Sequence, residues 1–311
     1  LTHNATTNNI VGGASITLAA GARVFVVKDL SGIVQTIPFK ADGTAIAGSG
    51  GSGLSSHLTG CTLSNNGADA TNDINIAAGS CRDSTNAADI TVAALTKQLD
   101  ANWAAGTNQG MRYSGAAIAN TTYGIWAVSK ADGTQDIYAY PNSGAPSAAT
   151  VLAALQAETG GSAYLYVRRI GAIIRSGAVI RAFTQYGDLF QLTVPVADIA
   201  ATNPGTTAVE VALSIPLGAV VEAWVAAYIF AGSNNNVKAY LSALTATDSA
   251  ASTSMFSLIS MGQSTQSFTA GDFRIMSNTS STIRYRLSIS GAADEFHILT
   301  KGWTDRRGRD G

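Results

Sequence analysis

Cys61 and Cys81 are the two cysteines of the chain, and they bracket a stretch dense in Asn and Asp, CTLSNNGADATNDINIAAGSC. These residue types at this spacing allow three kinds of chemistry. Oxygen ligands from Asp69, Asn72, Asp73 and Asn75 could hold calcium, but the alternating acids, central Gly and closing Glu of an EF-hand loop are missing. His57 with the two cysteines could begin a zinc site, yet His-x3-Cys followed by one distant Cys lacks the paired knuckles of such sites. A disulfide is the third, closing the local loop with about 3 kcal/mol of stabilisation where the geometry allows it. Two buried thiols, or a link to a neighbouring chain, are its alternatives. The acids and amides are expected to serve turns, because their short side chains hydrogen-bond nearby backbone. No metal and no cofactor is expected.

Other reactive groups are sparse. Of the histidines, His3 lies near the start of the sequence, and His297 alternates within EFHILTKGW like any strand residue. No G-x-S-x-G elbow and no Gly-rich strand-to-helix loop is present, so no nucleophile with its base can be assembled. Two acids facing each other across a cleft would suffice for glycoside hydrolysis. Asp132 with Asp136, or Asp188 with another acid, are the candidates, but each stands beside a turn, and the expectation is that the chain is not an enzyme. The closing segment GWTDRRGRDG sets Arg306, Arg307 and Arg309 between Asp305 and Asp310, behind Trp303. It reads either as a solvated tail or as a clasp in which forked guanidinium groups pair with carboxylates of an adjacent subunit.

The elements that must position these groups are strands. Short runs rich in Val, Ile, Thr, Tyr and Phe (ARVFVVKDL, GIVQTIPF, YGIWAVSK, AYLYVRRIGAII) are separated by Gly, Asn, Asp and Ser. ADGT occurs at 41–44 and 131–134, and each copy predicts a hairpin, since Asp-Gly supplies the positive φ of tight turns. In TIRYRLSIS the residues Ile283, Tyr285, Leu287 and Ile289 fall on one face and Arg284, Arg286 and Ser288 on the other. Helical signals are few. SAATVLAALQAETGG predicts a short helix capped by Ser147 and stopped at Gly160, and Leu95, Leu99 and Trp103 at four-residue spacing suggest a helical turn or two within AADITVAALTKQLDANWAAG.

Only 13 % of residues are charged, the net charge is −1 and Gly reaches 32. Such a chain lacks the basic field that holds nucleic acid or an anionic bilayer. The longest apolar run, AVVEAWVAAYIFAG, is too short to span a membrane and carries Glu222. The sequence starts at Leu1 rather than Met, which raises the expectation of processing or trimming. Two composition breaks, AGSGGSGLSS and the Asn-Pro-Gly turn near Thr202, divide the reading into three. These are a small N-terminal β segment over 1–53, a middle β domain with one or two short helices over 54–201, and a C-terminal antiparallel, jelly-roll-like β-sandwich over 202–311. The expected fold class is all-β.

Several stretches carry a resemblance: LSNNGADATNDINIAAGSCRDSTN with LTKQLDANWAAGT after it, IANTTYGIWAVSKADGT, RRIGAIIRSGAVIRAFTQYGDLF, ATNPGTTAVEVALSIPLG and the closing GWTDRRGRDG. Together, over roughly residues 54 to 311, they resemble a module of tail-fibre and related virion proteins of tailed bacteriophages. The family usually has other residues where Cys61 and Cys81 stand. The resemblance implies a structural, non-catalytic protein on the exterior of the phage particle, most simply a homotrimeric tail-fibre or receptor-binding subunit for host attachment. Its N-terminal region would join other virion proteins, and its partners would include itself and a host surface glycan or protein, with no nucleic acid and no membrane insertion. A collar, head-fibre or capsid decoration protein, and a tailspike that cleaves polysaccharide, are the alternatives.

Overall fold

The computed structural model describes residues 55–232, 236–255 and 268–309, and the backbone alone of 23–28, 34–39, 258–259 and 267. The chain divides into two compact units, Leu1–Ser52 and Gly53–Gly311. In the first, β1 (Arg23–Lys28) and β2 (Val34–Phe39) pair antiparallel. The ADGT copy at 41–44 lies outside the described residues.

The second unit is all-β with one helix among its described residues. It begins with β3 (Leu58–Gly60), β4 (Leu63–Asn65), β5 (Asp73–Ile76), β6 (Gly79–Arg82), β7 (Asp89–Val92), β8 (Leu95–Asn102) and β9 (Gln109–Arg112). Then come β10 (Thr122–Lys130), β11 (Gln135–Pro141), α1 (Ala148–Ala157), β12 (Tyr164–Ser176), β13 (Val179–Ile180), β14 (Phe183–Tyr186) and β15 (Leu189–Thr202). The chain ends with β16 (Val209–Ala212), β17 (Glu222–Ala231), β18 (Lys238–Ser242), β19 (Leu258–Ile259), β20 (Ser267–Met276), β21 (Thr282–Leu287) and β22 (Glu295–Thr304).

An eight-stranded sheet, ordered β13-β12-β10-β11-β9-β8-β5-β4, stands beside the small sheet β3-β6-β7. Its central strand β10 is buried on both faces. Ile125 and Ala127 point into the main core, while Trp126 and Val128 point to a second core under α1, with Val151 and Leu155 of the helix. That double burial explains the unbroken apolar run YGIWAV. The β10–β11 hairpin turns at 131–134 as the ADGT signal requires, with Gly133 at φ +85° and the Asp132 carboxylate accepting from Thr134 N at 2.8 Å.

The C-terminal half is a sandwich. A sheet ordered β14-β15-β22-β17-β20 faces one ordered β16-β21-β18-β19, and every pairing in both is antiparallel. Strict alternation in β17 sends Ala223, Val225, Ala227 and Ile229 inward, and Tyr285 of β21 meets Phe296 of β22 at 4.9 Å between ring centres. Ile283, Tyr285 and Leu287 are buried as the pattern predicts, but Ile289 lies past the end of the strand and is 39 % exposed.

Two expectations need correction. The segment expected to hold helical turns forms β7 and β8, because Ile90, Val92, Lys97 and Leu99 alternate inward at period two and the cross-strand partners of β5 and β6 are there to receive them. The four-residue spacing of Leu95, Leu99 and Trp103 fits that period equally well. Near Thr202 there is a strand end rather than a break in packing. β15 runs 14 residues up to Thr202 in register with β22, and one continuous core takes side chains from both sides of that point.

Ser147 caps α1 as expected, its side chain accepting from Thr150 N, and Glu158 follows the last turn with Gly160 beyond it at φ +80°.

Candidate functional site

The acids and amides between the cysteines serve the backbone. Asp69 Oδ1 accepts from Thr71 N at 2.9 Å, and Asn66 Oδ1 accepts from Ala68 N at 2.7 Å. Asn75 Oδ1 accepts from Asn66 Nδ2 and from the Thr96 hydroxyl, both at 2.8 Å. Asp83 follows just after Cys81 and is buried, taking N–H bonds from Thr85, Ala87 and Ala88 and the Thr85 hydroxyl. Burial alone would raise its carboxyl; the donors from Thr85, Ala88 and Ala87 outweigh burial and hold it below the usual carboxylate range. Among the described residues no group of three His, Cys, Asp or Glu side chains is placed to hold a metal. His57 instead lies 3.3 Å from the Ser80 hydroxyl and 3.7 Å from Asp89.

β3 and β6 pair Leu58 with Cys81, and this brings Cys61 and Cys81 together as two free, wholly buried thiols rather than as the candidate disulfide. The hydrogen bond from Cys81 and the charge of Arg307 push the Cys61 thiol down against the opposing effect of burial, whereas the same bond and burial push Cys81 up.

The candidate carboxylates do not converge. Asp132 holds its turn, and Asp136 is buried in an ion pair 3.0 Å from Lys97 Nζ, which also donates to the carbonyls of Ala104 and Gly106. Burial pushes Asp136 up and Lys97 down, each opposed by its partner's charge. Asp188 pairs with Arg309. His297 contacts Glu295 at 3.1 Å and the edge of Tyr228. His3 lies outside the described residues.

The closing segment is a clasp, but one made within the chain, which corrects the expectation of carboxylates from an adjacent subunit. Trp303 is 1 % exposed and stacks on Phe190 with ring centres 5.3 Å apart. Asp305, wholly buried, takes both arms of Arg169 of β12 at 2.6 and 2.7 Å. Arg307 donates to the carbonyls of Ile170, Gly60 and Cys61, and Arg309 reaches Asp188. These contacts form because β22 delivers the segment across the middle of β12, where its register with β10 shifts, and past the end of β3. Arg306 alone of these arginines points out, into a cleft of about 530 Å³ whose walls include Val220, Glu222, Met276 and Asp305.

Behind Arg169 and Gly308 that cleft adjoins a second cavity of about 350 Å³, lined by Trp126, Asn142, Ser147 and Ala148. Asn142 is held by its Nδ2 to Leu217 O at 2.7 Å. The Trp126 indole N–H has no acceptor, although the residue is only 4 % exposed. A third hollow of about 440 Å³, walled by Tyr140 and Gly144, continues past Pro146 and Ser147. Sequence reading misses Trp126, Asn142 and Arg169. The available signal is RRIG, two adjacent arginines in an otherwise apolar strand.

A second surface stands on the outer face of the five-stranded sheet. Trp224 lies between Arg274 and Lys301, at 4.7 and 4.4 Å, and these cations keep Glu222 and Asp272 as partners. Beside it, Tyr228 stacks near Phe268, which is 70 % exposed. A shallow apolar hollow of about 270 Å³ runs over Ile199, Ala226, Tyr228, Ala270 and Leu299.

Fold and surfaces together define an all-β, sandwich-containing protein with neighbouring hollows beside α1 and the closing segment and an apolar sheet face. No family model matches the chain, and no curated protein matches it. No helix among the described residues is long and apolar enough to cross a membrane.

Proposed function

We propose that this chain is a structural subunit of a tailed-phage virion, a homotrimeric tail-fibre or receptor-binding protein that attaches the particle to its host, with the Leu1–Ser52 unit as its joint to other virion proteins. The observation that carries the reading is the outer face of the five-stranded sheet. Ala226 and Ala270 leave a shallow trough between Tyr228, Phe268 and Leu299, and the charges at its rim are already paired with one another. A contiguous apolar face whose rim is electrically satisfied suits a second copy of the same protein, because covering it strands no charge. The low charge and the resemblance of residues 54 to 311 to virion modules support the same reading. Repetition of the subunit on a particle would turn weak contacts with the host surface into firm attachment.

Mass photometry of the full chain is the test. The wild type is expected as a trimer, and Ala226→Arg, which sets an unpaired charge in the trough, as a monomer with unchanged circular dichroism. A wild-type monomer at micromolar concentration rejects the assembly. Imaging of the whole particle separates a fibre from a collar, head-fibre or decoration position.

A further inference from the structure

Lys97 and Asp136 meet where water does not reach. Both side chains are wholly inaccessible, and Lys97 Nζ lies 3.0 Å from one carboxylate oxygen, Oδ1, and 3.3 Å from the other, Oδ2. Those distances leave the carbon between the oxygens, Cγ, within about 3.5 Å of the nitrogen, the separation of a near-attack arrangement. Each Nζ hydrogen has an acceptor. One faces Oδ2, and the others point to the carbonyls of Ala104 at 2.7 Å and Gly106 at 3.1 Å. On the acid, Oδ1 accepts from Ile137 N at 2.7 Å and Oδ2 from Gly106 N at 3.1 Å. When the proton between Nζ and Oδ2 crosses to oxygen, the two carbonyls therefore keep the remaining N–H groups, and the freed lone pair is left facing the carboxyl. In water about six pK units hold that proton on the amine. Here burial pushes Lys97 down and Asp136 up, and the opposing charge of each partner vanishes with the same transfer.

We propose that Lys97 and Asp136 join in an intramolecular isopeptide bond, formed by the folded chain itself. The desolvated amine is the nucleophile. Its attack forms the bond from Nζ to Cγ and moves negative charge onto Oδ1, where the Ile137 N–H holds it. The bond from Cγ to Oδ2 then breaks. Oδ2 already carries the first Lys97 proton, takes a second from Nζ and departs as water, so an ammonium and a carboxylate become one amide and one water. Gly106 belongs to an exposed stretch, residues 105–109, which gives the water a short way out. The bond stands at the thinnest seam of the eight-stranded sheet. β8 and β11 flank β9, whose register holds three partners in β8 but only Ala139 in β11. A covalent link between Lys97 and Asp136, 39 positions apart, spans that seam. Such a link suits a subunit that carries load on a particle. That use rests on the virion reading above, whereas the chemistry does not.

The test is the intact mass of the full chain, followed by tandem mass spectrometry of a tryptic digest. The folded wild type is expected to be lighter than its sequence by one water, with trypsin failing to cut after Lys97 and a branched peptide carrying both Lys97 and Asp136. Lys97→Arg keeps the positive charge but holds its protons too firmly to attack, and is expected at full mass with no branched peptide. A succinimide at Asp132 and Gly133 of the neighbouring hairpin also loses one water, but it persists in Lys97→Arg and yields no branch. A wild type at full mass, or a water loss that Lys97→Arg retains in full, overturns the bond. If Lys97→Arg does not fold, the wild-type digest decides alone, and absence of the branched peptide rejects the proposal. Mass photometry of the same samples separates the bond from the assembly. Trimers of full-mass chains remove the bond and leave the trimer standing, whereas bridged monomers do the reverse.

Discussion

Arg169 and Asp305 meet through two parallel N–H to oxygen bonds of 2.6 and 2.7 Å although 136 positions separate them in the chain. Asp305 is wholly buried and also accepts from Arg307 N at 2.7 Å. The pair ties the closing segment to β12, and with it the wall shared by the central cavity and the cleft beside it. Removing one member leaves the other charge buried alone, which costs about 3–5 kcal/mol. Asp305→Asn is therefore expected to lower the unfolding free energy of the second unit, read from urea denaturation, by that amount. Arg169→Lys should recover little, because an ammonium cannot reproduce the fork. A loss below about 0.5 kcal/mol for Asp305→Asn, the range of an exposed pair, would reject the role.

Asp83 gives the pH prediction. Its donors hold the folded carboxyl below its ordinary value despite burial, so its stabilisation is present above the unfolded value of about 3.9 and is lost as the pH falls through the lower folded value. Asp83→Asn should cost about 1–3 kcal/mol at neutral pH, since the amide replaces one accepting oxygen by a donor facing backbone N–H groups. Chemical denaturation of both proteins should show the gap closing below about pH 4 as the wild type protonates. A gap that widens on acidification would contradict the sign.

The all-β class is legible in the sequence because turn residues and strand runs alternate along the whole chain. The face pattern of β21 is legible because one side is core and the other carries Arg284 and Arg286, which reach Asp248. The β7–β8 region misleads for a physical reason. Ala, Leu, Lys and Gln are good helix formers, and the partners that override their preference lie in β5, β6 and β9, far enough away that local sequence does not register them. The hollow beside α1 is illegible for a related reason, since Trp126, Asn142, Arg169 and Gly308 come from distant segments. Trp126 in particular looks like any core aromatic until its N–H is seen to lack an acceptor. Asp305 and Arg307 are legible as a clasp, but the partner's identity depends on where β22 ends.

Cys61 and Cys81 supply the last prediction. Both thiols are wholly inaccessible, Cys61 sits at φ +49° after Gly60, and Arg307 is bound to its carbonyl. A reagent therefore reaches either sulfur only when β3 separates from β6 or the closing segment lifts away. Under native conditions alkylation by iodoacetamide should follow the opening equilibrium rather than thiol chemistry, and be slower than for a free peptide thiol by a factor set by the stability of this region. In denaturant without reductant both cysteines should alkylate at once. A mass showing neither alkylated until reductant is added would mean that the thiols are bridged. Asp305→Asn loosens the segment that carries Arg307, so it should speed native alkylation of Cys61 and Cys81 together. Acceleration at one cysteine alone would show that the closing segment and the β3–β6 pair open separately.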